Sequence, residues 1–156
     1  MIKWPEKYSP ERTAVHVHNE LEMSVPPERV WAWLIRADIW PTWFPRAKAV
    51  RIQGGGRDLQ PGSAFRWRIS GVSLRSTVDE FVPYERLSWS AHATGIDAYH
   101  VWLIERTQSG CRVVTEENQN GWLARLSQAT RPQSMYQLHE AWLNGLLERS
   151  KVGLPP

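Results

Sequence analysis

The most constraining feature of this chain is a long alternation of apolar and polar residues between Gly62 and Glu117, broken only by turn signals. Period-two alternation sends successive side chains to opposite faces of a strand, so each run can bury one face. Runs joined by short turns form an antiparallel meander, and its apolar face then needs a cover. Gly62 to Ile69 sets Phe65, Trp67 and Ile69 against Arg66 and Arg68, and Ser70-Gly71 supplies a two-residue turn. That turn predicts Ile69 opposite Val72, Trp67 opposite Leu74 and Phe65 opposite Ser76, with Arg66, Arg68 and Arg75 on the other face. A turn at Pro83-Tyr84-Glu85-Arg86 predicts the pairs Val82–Leu87, Glu80–Trp89 and Val78–Ala91. One around Thr94-Gly95-Ile96-Asp97 predicts Ala91–His100 and Trp89–Trp102. The last, Gln108-Ser109, predicts Ile104–Val113, Trp102–Thr115 and His100–Glu117. Carried through, one face collects Phe65, Trp67, Leu74, Val78, Leu87, Trp89, His100, Trp102, Val113, Thr115 and Glu117. A slip of one residue would scatter that set.

The flanks of the meander are of mixed type. Thr13 to Met23 alternates Val15, Val17, Leu21 and Met23 with His16, His18, Glu20 and Glu22, the pattern of a half-buried strand. Ser24, Pro26-Pro27 and Glu28 then read as a helix start. Val30, Trp31, Trp33, Leu34 and Ile35 give that helix a wide apolar face. Trp40 to Pro45 has room only for a turn or a very short helix, because each proline removes a donor and biases its predecessor away from the α conformation. Ala47 to Ile52 is a further short strand, closed by Gly54-Gly55-Gly56. After Gly121 the pattern turns helical. Trp122 to Ala129 forms one segment, and Pro132 fits the first turn of a longer helix beginning near Thr130. In that helix Met135, Leu138, Trp142 and Leu146 recur as a buried stripe with His139 beside it. An antiparallel sheet with its helices on one face is an α+β fold, and the length of 156 residues suits a single domain, with 1–12 as an N-terminal extension.

Composition sharpens the question. Ten tryptophans against three Phe and four Tyr must place large flat surfaces in a big core, a cavity wall or a sticky exterior. One cysteine, Cys111, excludes an internal disulfide and points to a reducing compartment, so a cytoplasmic location is expected. Met1 to Pro10 has no secretory pattern, and no apolar run suggests stable membrane insertion. The net charge of +3 comes from scattered residues rather than a basic stripe, so nucleic acid is not an expected partner.

His100 and Glu117 are the sharpest candidates. The register makes them cross-strand neighbours, where a carboxylate fixes the imidazole tautomer and raises its pKa while burial lowers it. They are either a catalytic or ligand-anchoring pair, or two polar groups that satisfy each other. Thr115, Gln119, Asn19 and Tyr136 are candidates to extend the network. His16, His18 and Glu20 have metal-ligating chemistry but fall on the outward side without a fourth ligand, so no metal site and no cofactor are expected. Glu80 has inward parity near a turn. Tyr99, Val101, Leu103 and Val114 make an outward apolar stripe, suited to a homodimer contact or to cover by a segment such as Met1 to Pro10.

In order and spacing the chain resembles the START/polyketide-cyclase (SRPBCC) superfamily. The resemblance runs from about Val15 to Arg149. It is carried by the first strand with Ser24 to Trp31, Asp38 to Pro45, Pro61-Gly62, Val78 to Pro83 with Leu87 and Trp89, His100-Val101-Trp102, Thr115-Glu116-Glu117 with Gly121, and His139 to Leu147. It implies a helix-grip fold: a curved antiparallel sheet of about seven strands wrapped around a long C-terminal helix, with two short helices after the first strand. It also implies a cavity between sheet and helix. Trp67, Trp89, His100, Trp102, Thr115, Glu117, Tyr136 and His139 are then the cavity candidates, with Trp122 as a further wall; the alternative is that the indoles fill the core. Two functions compete. One is binding of a small apolar molecule, lipid-like, aromatic or polyketide. The other is a cyclase- or aromatase-type reaction using His100 and Glu117.

Overall fold

The computed structural model describes residues 2–156 and contains one seven-stranded antiparallel sheet and four α-helices. The strands are β1 (Val15–Met23), β2 (Ala47–Ile52), β3 (Ala64–Ile69), β4 (Val72–Val82), β5 (Arg86–Ala93), β6 (Ile96–Thr107) and β7 (Gly110–Asn120). Their order is β1-β7-β6-β5-β4-β3-β2, so the first strand returns beside the last. Helices α1 (Pro27–Ile35) and α2 (Trp40–Trp43) connect β1 to β2, and α3 (Trp122–Thr130) and α4 (Ser134–Val152) follow β7. The architecture is the expected α+β arrangement of a sheet gripping a C-terminal helix. Among the described residues no helix is long and apolar enough to cross a membrane.

The outer two hairpins of the meander have the expected registers. Ile69 faces Val72 and Trp67 faces Leu74, and at the far end Ile104 faces Val113 and His100 faces Glu117. The β5–β6 hairpin is shifted by two residues, and β4–β5 by one at its turn and by two beyond a bulge in β4. Val78 lies opposite Trp89 rather than Ala91, and Trp89 opposite His100 rather than Trp102. At the first of these turns Tyr84 takes a positive φ of 68°, which tightens the loop to three residues and sets Val82 opposite Arg86. At the second, Thr94-Gly95 alone makes the turn and Ala93 faces Ile96. A two-residue shift preserves parity, and in β4 the bulge restores it beyond the turn, so Val78, Leu87, Trp89 and His100 stay on the inner face.

A bulge in β4 corrects the expectation for Glu80. The register shifts between Val78 and Phe81, and two residues there oppose one on β5. Asp79 and Glu80 both turn outward: Asp79 accepts a 2.5 Å bond from the Tyr99 hydroxyl, and Glu80 pairs with Arg86 at 2.9 Å. Phe81 returns inward and meets Trp31 edge to face.

The helix boundaries also differ. Pro26, not Ser24, is the N-cap of α1, with no side-chain cap bond. Pro132 stands in the turn between α3 and α4, and the long helix begins only at Ser134. The start of α3 is tied to the β5–β6 turn, where Leu123 N–H donates to the Gly95 carbonyl at 3.0 Å. A Cβ on Gly121 would fall 2.2 Å from that carbonyl oxygen, so only glycine fits.

The indoles are mostly core. Trp40 sits between Phe65, Trp67, Trp89 and Trp142, with ring centroids 5.5–5.9 Å away. Its N–H donates to the Leu34 carbonyl at 3.0 Å, and that of Trp67 to Ser76 Oγ at the same distance. Buried indoles carry both the apolar area and a polar handle, so such bonds fix their orientation. On the outer face the N-terminal segment covers the apolar stripe: Tyr8 stacks on Tyr99 at 5.2 Å, and Trp4 meets the same ring at its edge.

Candidate functional site

A partly open cavity of about 210 Å³ lies between the sheet and the α3–α4 junction. Trp67, Trp89 and Trp142 line its inner end, and Leu123, Met135 and Leu138 close it from the helices. Ala91 and Ala98 line the wall between them; their small side chains leave the space that larger residues would fill. His100, Glu117 and Gln119 form a polar corner beside these apolar residues, and Arg46, Arg131 and three serines line the cavity elsewhere.

That corner is assembled from three elements. His100 on β6 and Glu117 on β7 are direct cross-strand partners, with Nδ1 and Oε2 3.5 Å apart. His139 descends from α4, where it is one turn from the stripe residue Trp142, and its Nε2 lies 3.1 Å from the same carboxylate oxygen. Gln119 donates to the other oxygen at 2.6 Å. Thr115 Oγ1 contacts His100 Nε2 at 2.7 Å from behind. His139 Nδ1 is buried without a hydrogen-bond partner.

Electrostatics follow from this geometry. Burial holds His100 neutral, its pKa pulled down to about 3 although the Glu117 carboxylate opposes the shift. Burial also pushes the Glu117 carboxyl up, but the hydrogen bonds from His139 and Gln119 favour the ionised form and hold the group below the usual carboxyl range. The corner is thus an ionised carboxylate cradled by N–H donors. His100, Glu117 and His139 also bring three metal-ligating atoms within 4.8 Å of one another. The imidazole planes, however, are only 8° from parallel, and in-plane lone pairs on stacked rings do not converge on one ion. As arranged, the three form a hydrogen-bonded cluster.

Of the eight cavity candidates, Trp67, Trp89, His100 and Glu117 lie in the lining. Trp102, Thr115 and His139 are fully buried behind it and support it. Tyr136 departs from expectation: its ring is 45% exposed, and only its carbonyl is used, accepting from Asn19 Nδ2. Trp122 likewise is 63% exposed and lies over Gly95 instead of forming a wall. Asn19 ties β1 to α4 through Glu140 at 2.8 Å, away from the cavity. His18 pairs with Glu116 and Glu20 on the outer edge. Cys111 is buried, and burial pushes its thiol up to about 11, far from a nucleophile's range. Sequence reasoning missed Trp142, Arg46 and Arg131 as lining residues. The apolar stripe of α4 marked Trp142 as buried, but nothing in the pattern marked the two arginines.

Known proteins place the fold. The profile of the family described as polyketide cyclase / dehydrase and lipid transport matches residues 14–152. The structure of a hypothetical protein, jhp0584, from Helicobacter pylori is similar with a TM-score of 0.89 and 27% identity over 96% of both chains. The Zhui aromatase/cyclase from Streptomyces sp. R1128 is similar at 0.73 with 16% identity, covering 88% of this chain and 93% of that one. The di-domain ARO/CYC StfQ of the steffimycin biosynthetic pathway is similar at 0.72 with 12% identity, covering 88% of this chain and 51% of that one. At such identities these two share the fold alone. No curated protein matches the sequence.

Proposed function

The chain belongs to the polyketide cyclase / dehydrase and lipid transport family, and from that premise we propose that it binds a small, largely apolar molecule in the cavity between sheet and α4. The observation that carries this reading is a space of about 210 Å³ with an aromatic inner end and one polar corner. A dry cavity of about 150 Å³ holds a benzene ring, so this one suits a body of one or two rings. A long acyl chain or a four-ring body would need α3 and α4 to move apart. Glu117 gives the ligand an acceptor: a hydroxyl placed against it makes a charge-assisted bond worth about 1.5–3 kcal/mol.

The ionised carboxylate in an apolar space favours one second reading, a cyclase- or aromatase-type enzyme with Glu117 as proton acceptor. A general base works best with a pKa near the operating pH. Burial drives His100 below the imidazole range and the His139 hydrogen bond drives Glu117 below the carboxyl range, both away from neutrality. That mismatch supports binding over proton shuttling.

Native mass spectrometry of the mildly purified protein, followed by titration with hydroxynaphthalenes, tests the proposal. A retained or titratable apolar ligand is expected, with at least tenfold weaker binding in Glu117→Ala and no turnover in either form. A protein that neither retains nor binds such molecules overturns it. Turnover of a polyketide substrate abolished by Glu117→Gln would establish the enzyme reading instead.

A further inference from the structure

The rim of the cavity has a charge character opposite to that of its inner corner. Arg46 stands on the sheet side, just ahead of β2, and Arg131 on the helix side, in the turn between α3 and α4; both line the cavity. Backbone bonds fix both positions. The Arg46 carbonyl accepts from Ser70 N–H at 3.2 Å, holding it against the β3–β4 turn. Arg131 N–H donates to the Ser127 carbonyl at 2.8 Å, and its own carbonyl accepts from Ser134 N–H at 3.0 Å. Ser70, Ser127 and Ser134 join the lining, adding hydroxyl donors on both sides. Among the described residues neither arginine has a carboxylate partner, although nine Lys or Arg ion pairs form elsewhere.

The surrounding sequence reinforces that field. Between residues 39 and 78 the chain carries Arg46, Lys48, Arg51, Arg57, Arg66, Arg68 and Arg75 against a single acid, Asp58. Asp58 is already paired with Arg36, and Arg57 with Asp38. Arg51, Arg66 and Arg75 are direct cross-strand neighbours on β2, β3 and β4, on the face of the sheet away from the cavity, so they act on its rim only at long range. Like charges placed opposite one another cost stability, and a low-dielectric cleft at the edge of such a field draws anions toward it.

We propose that the cavity selects an apolar carboxylic acid: an aromatic body of one or two rings inside, and a carboxylate held at the rim by the guanidinium groups of Arg46 and Arg131. This inference rests on the cavity-binding reading and specifies its ligand class. Guanidinium presents a planar fork of N–H donors that matches the two oxygens of a carboxylate. The ionised Glu117 repels an acid from the inner corner, so the ligand enters body first with its charge outward. A hydroxyl on the far edge of the ring then meets Glu117, which makes a hydroxyaryl carboxylate the best fit.

Calorimetric titration with 2-naphthoate and its neutral isostere 2-naphthamide tests this. The wild-type protein should bind naphthoate at least tenfold more tightly than the amide, and added salt should weaken only the acid. Arg46→Gln/Arg131→Gln, two exposed substitutions whose folding is checked by melting temperature, should bring naphthoate to the level of the amide and leave the amide unchanged. Equal binding of acid and amide by the wild-type protein overturns the carboxylate preference and leaves the cavity reading intact. Binding of neither overturns both.

Discussion

His139 on α4 lies flat against His100 on β6, with ring centroids 4.8 Å apart and planes 8° from parallel. Two positive charges at that separation would repel by about 3–4 kcal/mol at an effective dielectric constant of 20. The pair therefore shares one carboxylate, Glu117, with His100 kept neutral. Helix and sheet are joined at this point by a polar contact inside an apolar interface. The contact favours a neutral His100 beside an ionised Glu117, and that gives the fold a characteristic response to acid.

Stability should fall as the solution is acidified, starting near pH 6.5. In the unfolded chain His100 takes up a proton with an ordinary imidazole pKa, whereas in the folded protein it resists until about pH 3. The unfolded state thus binds more protons across that window, and folding loses about 1.4 kcal/mol per pH unit per group. Glu117 has the same sign lower down: its contribution is present above the ordinary carboxyl range and is lost as pH falls toward about 2. Urea unfolding from pH 7 to 4.5 should show this slope in the wild type and a flatter one in His100→Gln, which removes the titrating group and keeps a partner for Thr115. Equal slopes would mean that another group governs the acid limit.

Gly145→Ala should destabilise the protein although alanine is the better helix former. A Cβ at Gly145 would stand 2.8 Å from the Trp43 ring and 3.1 Å from the Trp43 carbonyl oxygen. The helical preference returns about 1 kcal/mol, while overpacking against an indole and a backbone oxygen costs about 1–3 kcal/mol. The net expectation is a loss of up to about 2 kcal/mol in chemical denaturation, with the adjacent exposed Asn144→Ala within about 0.5 kcal/mol of wild type. A stabilised Gly145→Ala would show that α4 can shift away from α2, and hence that the cavity can widen.

The N-terminal segment is expected to act as a cover for the outer face. Tyr8 is buried, its hydroxyl donates to Asp97 at 2.5 Å, and its carbonyl accepts from Asn118 Nδ2 at 2.6 Å. Tyr8→Phe removes one hydrogen bond and should cost about 0.5–1.5 kcal/mol. Tyr8→Ala also strips the ring from Tyr99 and should cost about 3–5 kcal/mol. Removing residues 1–12 uncovers Tyr99 and Val101, and light scattering should then report self-association. A truncated protein that stays monomeric and equally stable would refute the covering role.

What the sequence made legible was parity. The His100–Glu117 pair could be read because Gln108-Ser109 is a plain two-residue turn and no bulge interrupts β6 or β7. The same reasoning failed for Glu80, because the bulge after Val78 adds a residue that alternation does not announce. The two-residue shift of the β5–β6 hairpin went unseen because it left every side chain of that pair on its own face. Helical phase was harder. Tyr136 lies just past Met135 in the buried stripe yet points to solvent, and Trp122 looks like core until the glycines at 95 and 121 draw the start of α3 onto the sheet edge. The stacking of His139 on His100 depends on how closely α4 approaches the sheet, a distance that periodicity does not encode.

Ala98→Leu distinguishes a true cavity from a packed core by the sign of its effect. Ala98 is 1% exposed, faces Ala91 across the β5–β6 ladder, and lines the cavity with it. In a filled core three extra carbons would force neighbours off their rotamers and cost about 1–3 kcal/mol. Placed into empty space, the same carbons gain dispersion contacts and bury apolar area, about 0.8 kcal/mol per methylene when nothing else moves. The expected result is therefore a higher melting temperature together with loss of naphthoate binding, since the leucine occupies the space the ring would take. A lower melting temperature with binding unchanged would mean that the ligand, if any, sits elsewhere. The paired readout matters because ligand loss alone could follow from damage to the fold, whereas a more stable protein that no longer binds has had its site filled.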